Sequence, residues 1–256
     1  MQRLPGLRAE GPGAGGGWGG GRTGDAMACG AQYEKRLIRE RARLTVAGLS
    51  ASERSAASAQ VCRRVVDLEA WQQAHTVMLF LPIPGEPDIT TLESSAFEAG
   101  KRVALPRMDW QTRRIAPIEV AGPGYATEVR HYGVVEPLPN PSAELTLERI
   151  DLVVTPGIAF DRQGRRVGRG AGFYDRFLDE WRKAKQLPGR SVSGGEAGGT
   201  VKGGTVRGEV VGVCFAAQLV ERAPREPHDA LVDVVVWESG VVMCRTTDGI
   251  ADRERQ

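Results

Sequence analysis

The sequence predicts an α/β protein: a three-layer open sheet with helices on both faces. Three observations carry this reading. Short apolar runs recur along the chain, among them TVMLFLP (76–82), RVALP (102–106), IDLVVTP (150–156), EVVGVCF (209–215) and DVVVWE (233–238). Segments with helical spacing and capping signals lie between them. Continuous rather than alternating apolar runs suit strands buried on both faces, and the interleaved helices supply the two covering layers.

The elements follow in order. In YEKRLIRERARLTVAGL (33–49), long straight side chains favour helix, and Leu37, Arg41 and Leu44 fall on neighbouring turns. Ser50 and Glu53 form a capping-box pattern that opens a second amphipathic helix through Val61, Val65 and Leu68. The run 76–82 is bounded by proline and reads as a buried strand. A helix over about 90–99, with Thr90 as its cap, closes at Gly100. Strands follow at 102–106 and, from RRIAPIEV, at 113–120. The run at 150–156 leads through a glycine-rich loop into a helix from Phe173 to Ala184, and strands at 209–215 and 233–238 complete the set, with Asp233 opening the last.

The chain has 256 residues and 41% hydrophobic content, enough to bury the core of one domain. Residues 1–30 include GPGAGGGWGGGRTG, which offers no apolar face against a large ordering entropy, so disorder is expected there. Residues 31–245 read as a single α/β domain, interrupted at about 189–208 by a flexible Gly/Ser/Thr insertion, and 246–256 as a polar tail. The start MQRLPGLRAEGPG lacks the apolar stretch of a secretory signal, leaving Met27 as the true start or a weak organellar presequence as open alternatives.

Composition excludes several function classes. Thirty-four Lys and Arg against 32 Asp and Glu leave no footprint of a general nucleic-acid binder. No run approaches the roughly 18–20 apolar residues of a membrane span. Cys29, Cys62, Cys214 and Cys244 form no CxxC pair, which fits a reducing, cytoplasmic setting, with an organelle as the other destination. His75, His131 and His228 lack zinc-hydrolase spacing, and His75 and His131 are expected to be structural or solvent-facing.

The chemistry concentrates in VVTPGIAFDRQGRRVGRGAGFYDRFL (153–178). Gly168, Gly170 and Gly172 alternate with Arg169 and Ala171 just before a helix, so backbone N–H groups can approach an anion at a positive helix end. Arg165, Arg166 and Arg169 add charged donors, a combination suited to polyphosphate. The loop is not a Walker motif, because no GK[ST] follows, and Phe173 replaces the last glycine of a dinucleotide fingerprint. Taken alone, it is equally a tight strand-to-helix turn with solvent-facing arginines.

With its flanks, PGIAFD (156–161) and GRGAGFYDR (168–176), the segment resembles the signature of 5-formyltetrahydrofolate cyclo-ligases, also called methenyltetrahydrofolate synthetases. Phe173 stands for the first tyrosine of the family pattern, and Ala171, which requires a negative φ, for a glycine or lysine. Three further patches match in order: EKRLIR, FLPIPGEPDITTL and EPHDALVDVVVWE. The resemblance spans about residues 34–239 without the insertion, and implies the three-layer fold shared with NagB/RpiA-type sugar-phosphate isomerases and CoA transferases. It implies ATP binding by Lys35, Arg36, Leu37, Ile38 and Arg39 and by Arg166, Val167, Gly168, Arg169, Gly170, Ala171, Gly172, Phe173 and Tyr174. Folate binding is implied for Leu81 and Glu86 together with 169–173, and Mg²⁺ binding for Asp175 and Asp229. Arg169, Lys35 and Arg39 would carry the chemistry. Each has a plainer reading: a solvated helix face for Lys35 and Arg39, a helix cap or arginine partner for either aspartate.

The implied reaction converts 5-formyltetrahydrofolate and ATP to 5,10-methenyltetrahydrofolate, ADP and phosphate in a monomeric protein with no nucleic-acid or membrane partner. A formamide oxygen is a poor leaving group, so phosphoryl transfer from ATP must activate it, and the protein aligns and stabilises charge. The rivals are an isomerase or acyl-CoA transferase of the same fold, or a catalytically silent folate-, nucleotide- or RNA-binding relative. Retention of every charged motif position argues against a silent copy.

Overall fold

The computed structural model describes residues 23–186 and 208–244. Its elements are α1 (Thr23–Ala47), α2 (Ala51–Val66), α3 (Glu69–Gln73), β1 (Thr76–Met78), α4 (Thr90–Glu98), β2 (Arg102–Asp109), β3 (Arg114–Val120), β4 (Thr127–Val129), β5 (Val135–Pro137), β6 (Leu152–Pro156), β7 (Ala159–Phe160), β8 (Arg166–Val167), α5 (Phe173–Gln186), β9 (Glu209–Val213), β10 (Val234–Trp237) and β11 (Gly240–Met243). Seven strands form one sheet in the order β11-β10-β9-β6-β1-β2-β3. The central five run parallel, and an antiparallel hairpin closes each edge through β2–β3 and β10–β11. The open α/β sheet expected from the sequence is therefore present, with mixed rather than uniform strand directions.

Strand alternation sorts the core into two layers. Val77, Leu152, Val154, Val211, Val234 and Val236 face α2, α3 and α4, where Val61, Val65, Trp71 and Leu92 meet them. Their neighbours Met78, Val153, Val210 and Val235 face α5 and pack on Phe177, Leu178 and Trp181. Burial on both faces is what made these strands continuous apolar runs. At the centre, Phe160 fits only because Gly157 and Gly212 lack side chains: a Cβ would lie 2.6 Å and 2.4 Å from its ring.

Several local expectations change. The first strand stops at Met78 rather than 82; Leu79 N still reaches Ala104 O at 2.9 Å, but the next residues turn away to form a loop at the sheet's end. Helix α1 starts at Thr23, inside the segment expected to be disordered, because the glycine-dense run ends at Gly24 and Ala26, Met27 and Ala28 are strong helix formers that extend the helix ahead of Tyr33. Leu37 and Leu44 are exposed, and α1 instead turns Lys35, Ala42 and Val46 inward. Asp88, not Thr90, caps α4: its Oδ1 accepts from Thr90 N at 3.0 Å. The capping box of Ser50 and Glu53 forms, and Gly100, at φ +68°, ends α4. The expected disorder over 1–22, the insertion up to residue 207 and the polar tail lie outside the described residues. No described helix is long and apolar enough to cross a membrane.

Candidate functional site

Successive connections leave β1 and β6, neighbours at the sheet's centre, in opposite directions: β1 leads toward β2 and β3, whereas β6 leads toward β9 and β10. Such a switch point opens a crevice at the carboxyl ends of the strands. A cleft of about 730 Å³ lies there, lined by the loop after β1, the loop from β6 to α5, and one face of α1.

From α1, Lys35 and Arg39 enter the cleft, four residues apart on one helical face. Arg36, Leu37 and Ile38 do not line it: the first two point to solvent and Ile38 packs on the Ala159–Val167 cluster. Lys35 is buried between two carboxylates, 2.7 Å from Glu226 Oε2 and 2.6 Å from Asp229 Oδ2. The Lys35 hydrogen bond holds the Glu226 carboxyl below its ordinary value. Arg39 Nε donates to the Gly168 carbonyl at 2.8 Å, tying helix to glycine loop. Partial burial, then the charge of Arg43, lowers the Arg39 pKa.

In the loop, Gly170 and Gly172 adopt φ +110° and +73°, whereas Ala171 keeps a negative-side φ as its Cβ requires. Val167 is buried in β8 opposite Ala159 and does not reach the cleft. Arg165 is also turned away, pairing with buried Asp161 at 3.3 Å. This corrects its expected phosphate role: Asp161 also accepts from Gln163, Arg165 and Ala223 N–H groups, so the end of the PGIAFD stretch fastens the turn. Arg166 is buried at the base of the loop, with Nη2 2.7 Å from Asp175 Oδ1 and Nη1 3.3 Å from Pro156 O.

Arg169 is the exposed guanidinium of the loop, and its Nε and Nη2 both approach Glu86 Oε1, at 3.2 and 3.0 Å. The Glu86 side chain is only 6% exposed. Burial pushes its pKa up, and Arg169 opposes that push. Tyr174 is buried beside them; its hydroxyl has no hydrogen-bond partner among the described residues, and burial followed by the Glu86 charge raises its pKa. Leu81 lines the cleft from the β1 loop, while Phe173 packs edge-on against Trp110 with ring centroids 4.9 Å apart.

Asp175 and Asp229 both line the cleft. Ala230, the residue after Asp229, donates its N–H to Asp175 Oδ1 at 3.3 Å. Asp175 Oδ2 and Asp229 Oδ1 accept no hydrogen bond among the described residues, although His228 Nε2 lies 3.8 Å from the latter; a hard cation could take these oxygens. Glu226, His228 and Asp229 also gather ligand atoms within 4.8 Å of one another.

Sequence reasoning missed Glu226, although it lies three residues before Asp229 in the matching EPHD stretch. It also missed the apolar wall formed by Met108, Trp110, Val134 and Val135. Trp110 follows a strand end and offered a local signal; the valines offered none. His131, expected to be structural or solvent-facing, packs on Trp110 at 5.1 Å between centroids. Buried Gln218 was a further omission: its Nε2 donates to Gly157 O and Ile158 O, at 3.2 and 3.1 Å, bracing the turn beneath the glycine loop.

A basic loop joined to an apolar cleft at the switch point of an open sheet defines a ligand-binding α/β protein able to hold an anion beside a flat organic molecule. The family model of the 5-formyltetrahydrofolate cyclo-ligase family matches residues 31–238. The Escherichia coli K12 5-formyltetrahydrofolate cyclo-ligase is 30% identical over 205 residues, covering 80% of this chain and 98% of its own length. The mouse protein of that name is 24% identical over 211 residues, covering 80% and 93%. The solved structure of Aquifex aeolicus 5,10-methenyltetrahydrofolate synthetase superposes with a TM-score of 0.65 at 28% identity, covering 87% of this chain and 98% of its own. This chain belongs to the 5-formyltetrahydrofolate cyclo-ligase family. It is accordingly a ligase of folate one-carbon metabolism, in a family that uses ATP as co-substrate.

Proposed function

We propose that this chain cyclises 5-formyltetrahydrofolate to 5,10-methenyltetrahydrofolate, with Lys35, Arg39 and Arg169 receiving the phosphates of ATP beside the glycine loop. The observation that carries the assignment is the Arg169–Glu86 pair, which brings the basic loop within one side chain's reach of the apolar half of the cleft. The formyl oxygen attacks the γ-phosphorus and ADP departs. N10 then attacks the activated carbon, the C–O bond breaks to release phosphate, and the N10 proton is lost. Alignment and charge stabilisation suffice, without a covalent enzyme intermediate.

Glu86 is assigned to hydrogen-bond the folate, and Leu81 to line its ring. Loop residues 169–173 serve both substrates, with Phe173 fixed by Trp110 and Tyr174 closing the floor under Glu86. Arg166 acts on phosphate indirectly, by holding Asp175 and the loop base. Asp175 and Asp229 fit Mg²⁺ through their remaining oxygens, and the ion would neutralise phosphate charge there. We assign it as a monomer in the cytoplasm, where a reducing setting suits the buried free thiols of Cys62, Cys214 and Cys244.

The test follows the near-ultraviolet absorbance of the conjugated methenyl product from purified protein. Absorbance should grow only when 5-formyltetrahydrofolate, ATP and Mg²⁺ are all present. No growth with folded protein would refute the assignment.

A further inference from the structure

The hairpin of β4 and β5 lies outside the main sheet, yet Val134 and Val135 from its turn and second strand form part of the cleft wall. Charged side chains contribute to its attachment. Glu128 and Glu136 sit directly opposite each other in the hairpin, a like-charge pairing that is unfavourable unless cations intervene. Arg107 from β2 donates to Glu128 Oε1 at 2.8 Å and to Pro137 O at 2.6 Å. Arg130 reaches both acids, at 3.4 Å from Glu128 Oε1 and 3.6 Å from Glu136 Oε2.

Glu136 is the buried member, at 0% exposure. Its Oε2 accepts the Met108 N–H at 3.1 Å, beyond Ala104, where the β1 register has ended. The carboxylate thus takes the place of a strand partner at the open end of β2. Its Oε1 has no hydrogen-bond partner among the described residues. Burying a carboxylate this incompletely satisfied is costly. The fastening point adjoins the site: Met108 itself lines the cleft, and Trp110, two residues on, packs against both His131 of the hairpin and Phe173 of the glycine loop.

We infer that Glu136 is a positioning residue for the folate half of the cleft, fixing the wall of Met108, Trp110, Val134 and Val135 against which the flat substrate ring lies. This rests on the function proposed above. Glu136 does not line the cleft, so it acts through the backbone of Met108 and the seating of the hairpin. Lys35, Arg39 and Asp229 belong to other elements, and the loop shared by both substrates touches Trp110 through Phe173, so ATP recognition should depend on it far less.

The experiment compares Glu136→Ala, which removes the acceptor for the Met108 N–H, with wild-type protein, measuring KM for each substrate separately together with kcat. The expected result is a KM for 5-formyltetrahydrofolate raised about tenfold, with KM for ATP changed less than about twofold. A loss of kcat with both KM values unchanged would mean only fewer folded molecules and would overturn the inference, as would wild-type values throughout. Arg130→Gln, at a half-buried site on the same carboxylate, supplies the second variant; the same selective KM rise, smaller in size, is expected, and its absence would also count against the inference. Should Glu136→Ala not fold, the Arg130 variant decides. Failure of the proposed function itself is recognised separately, since wild-type protein would then make no methenyl product.

Discussion

Arg169→Ala separates chemistry from stability most cleanly. Arg169 is 43% exposed at its side chain, whereas its partner Glu86 is 6% exposed. Solvent screening of the arginine limits what the pair adds to the fold, to about 1 kcal/mol once the long side chain's ordering entropy is discounted. For a chain of this size that corresponds to a fall in Tm of about 2–4 °C. The loss is further softened because Glu86, already raised by burial, can take up a proton once the guanidinium is gone. In the reaction no such escape exists: removing a fixed donor from developing phosphate charge typically costs about 10²–10³ in kcat. The assay pairs product absorbance with a thermal melt. A variant within about threefold of wild-type kcat would remove Arg169 from the mechanism, and a Tm collapse well beyond about 4 °C would show that its role is structural.

The acid limb of kcat/KM should lie above that of an ordinary glutamate, because burial raises Glu86, and Glu86→Gln should abolish that limb; an unchanged profile would dismiss Glu86 as the titrating group. The same raised value means that the folded state holds the Glu86 proton more tightly than the unfolded chain. Its contribution to stability is therefore full below the unfolded value and is lost as pH rises through the folded one, so Glu86→Gln should gain on wild type in melts above that window. Gly212→Ala places a Cβ 2.4 Å from the Phe160 ring and should cost about 1–3 kcal/mol in denaturant unfolding, whereas a neutral result would show that Phe160 can move aside. Burial raises the thiol pKa of Cys62, Cys214 and Cys244, the last to about 11, so peptide mapping after alkylation at pH 8 should find all three unmodified in the native protein and labelled after denaturation.

The sequence by itself determined the layer architecture and the position of the glycine loop. Both are local or periodic properties: a strand buried on two faces must be apolar throughout, as Leu152 to Thr155 are buried throughout, and a chain that turns twice through positive φ before a helix must carry Gly170 and Gly172. Lys35 and Arg39 were legible for the same reason, since helical spacing fixes their common face, but that spacing did not reveal which face was inward. Leu37 and Leu44 promised an apolar seam, and the fold instead buries Lys35, because Glu226 and Asp229, about 190 residues away in the chain, neutralise it. Only the tertiary structure decided what each of the loop's arginines pairs with. Arg165, Arg166 and Arg169 look alike in sequence, yet Asp161 takes the first, Asp175 the second, and the third is left to reach across to Glu86. A charge's role depends on which partner the fold delivers to it, and such partners come from distant segments whose pairing leaves no local pattern.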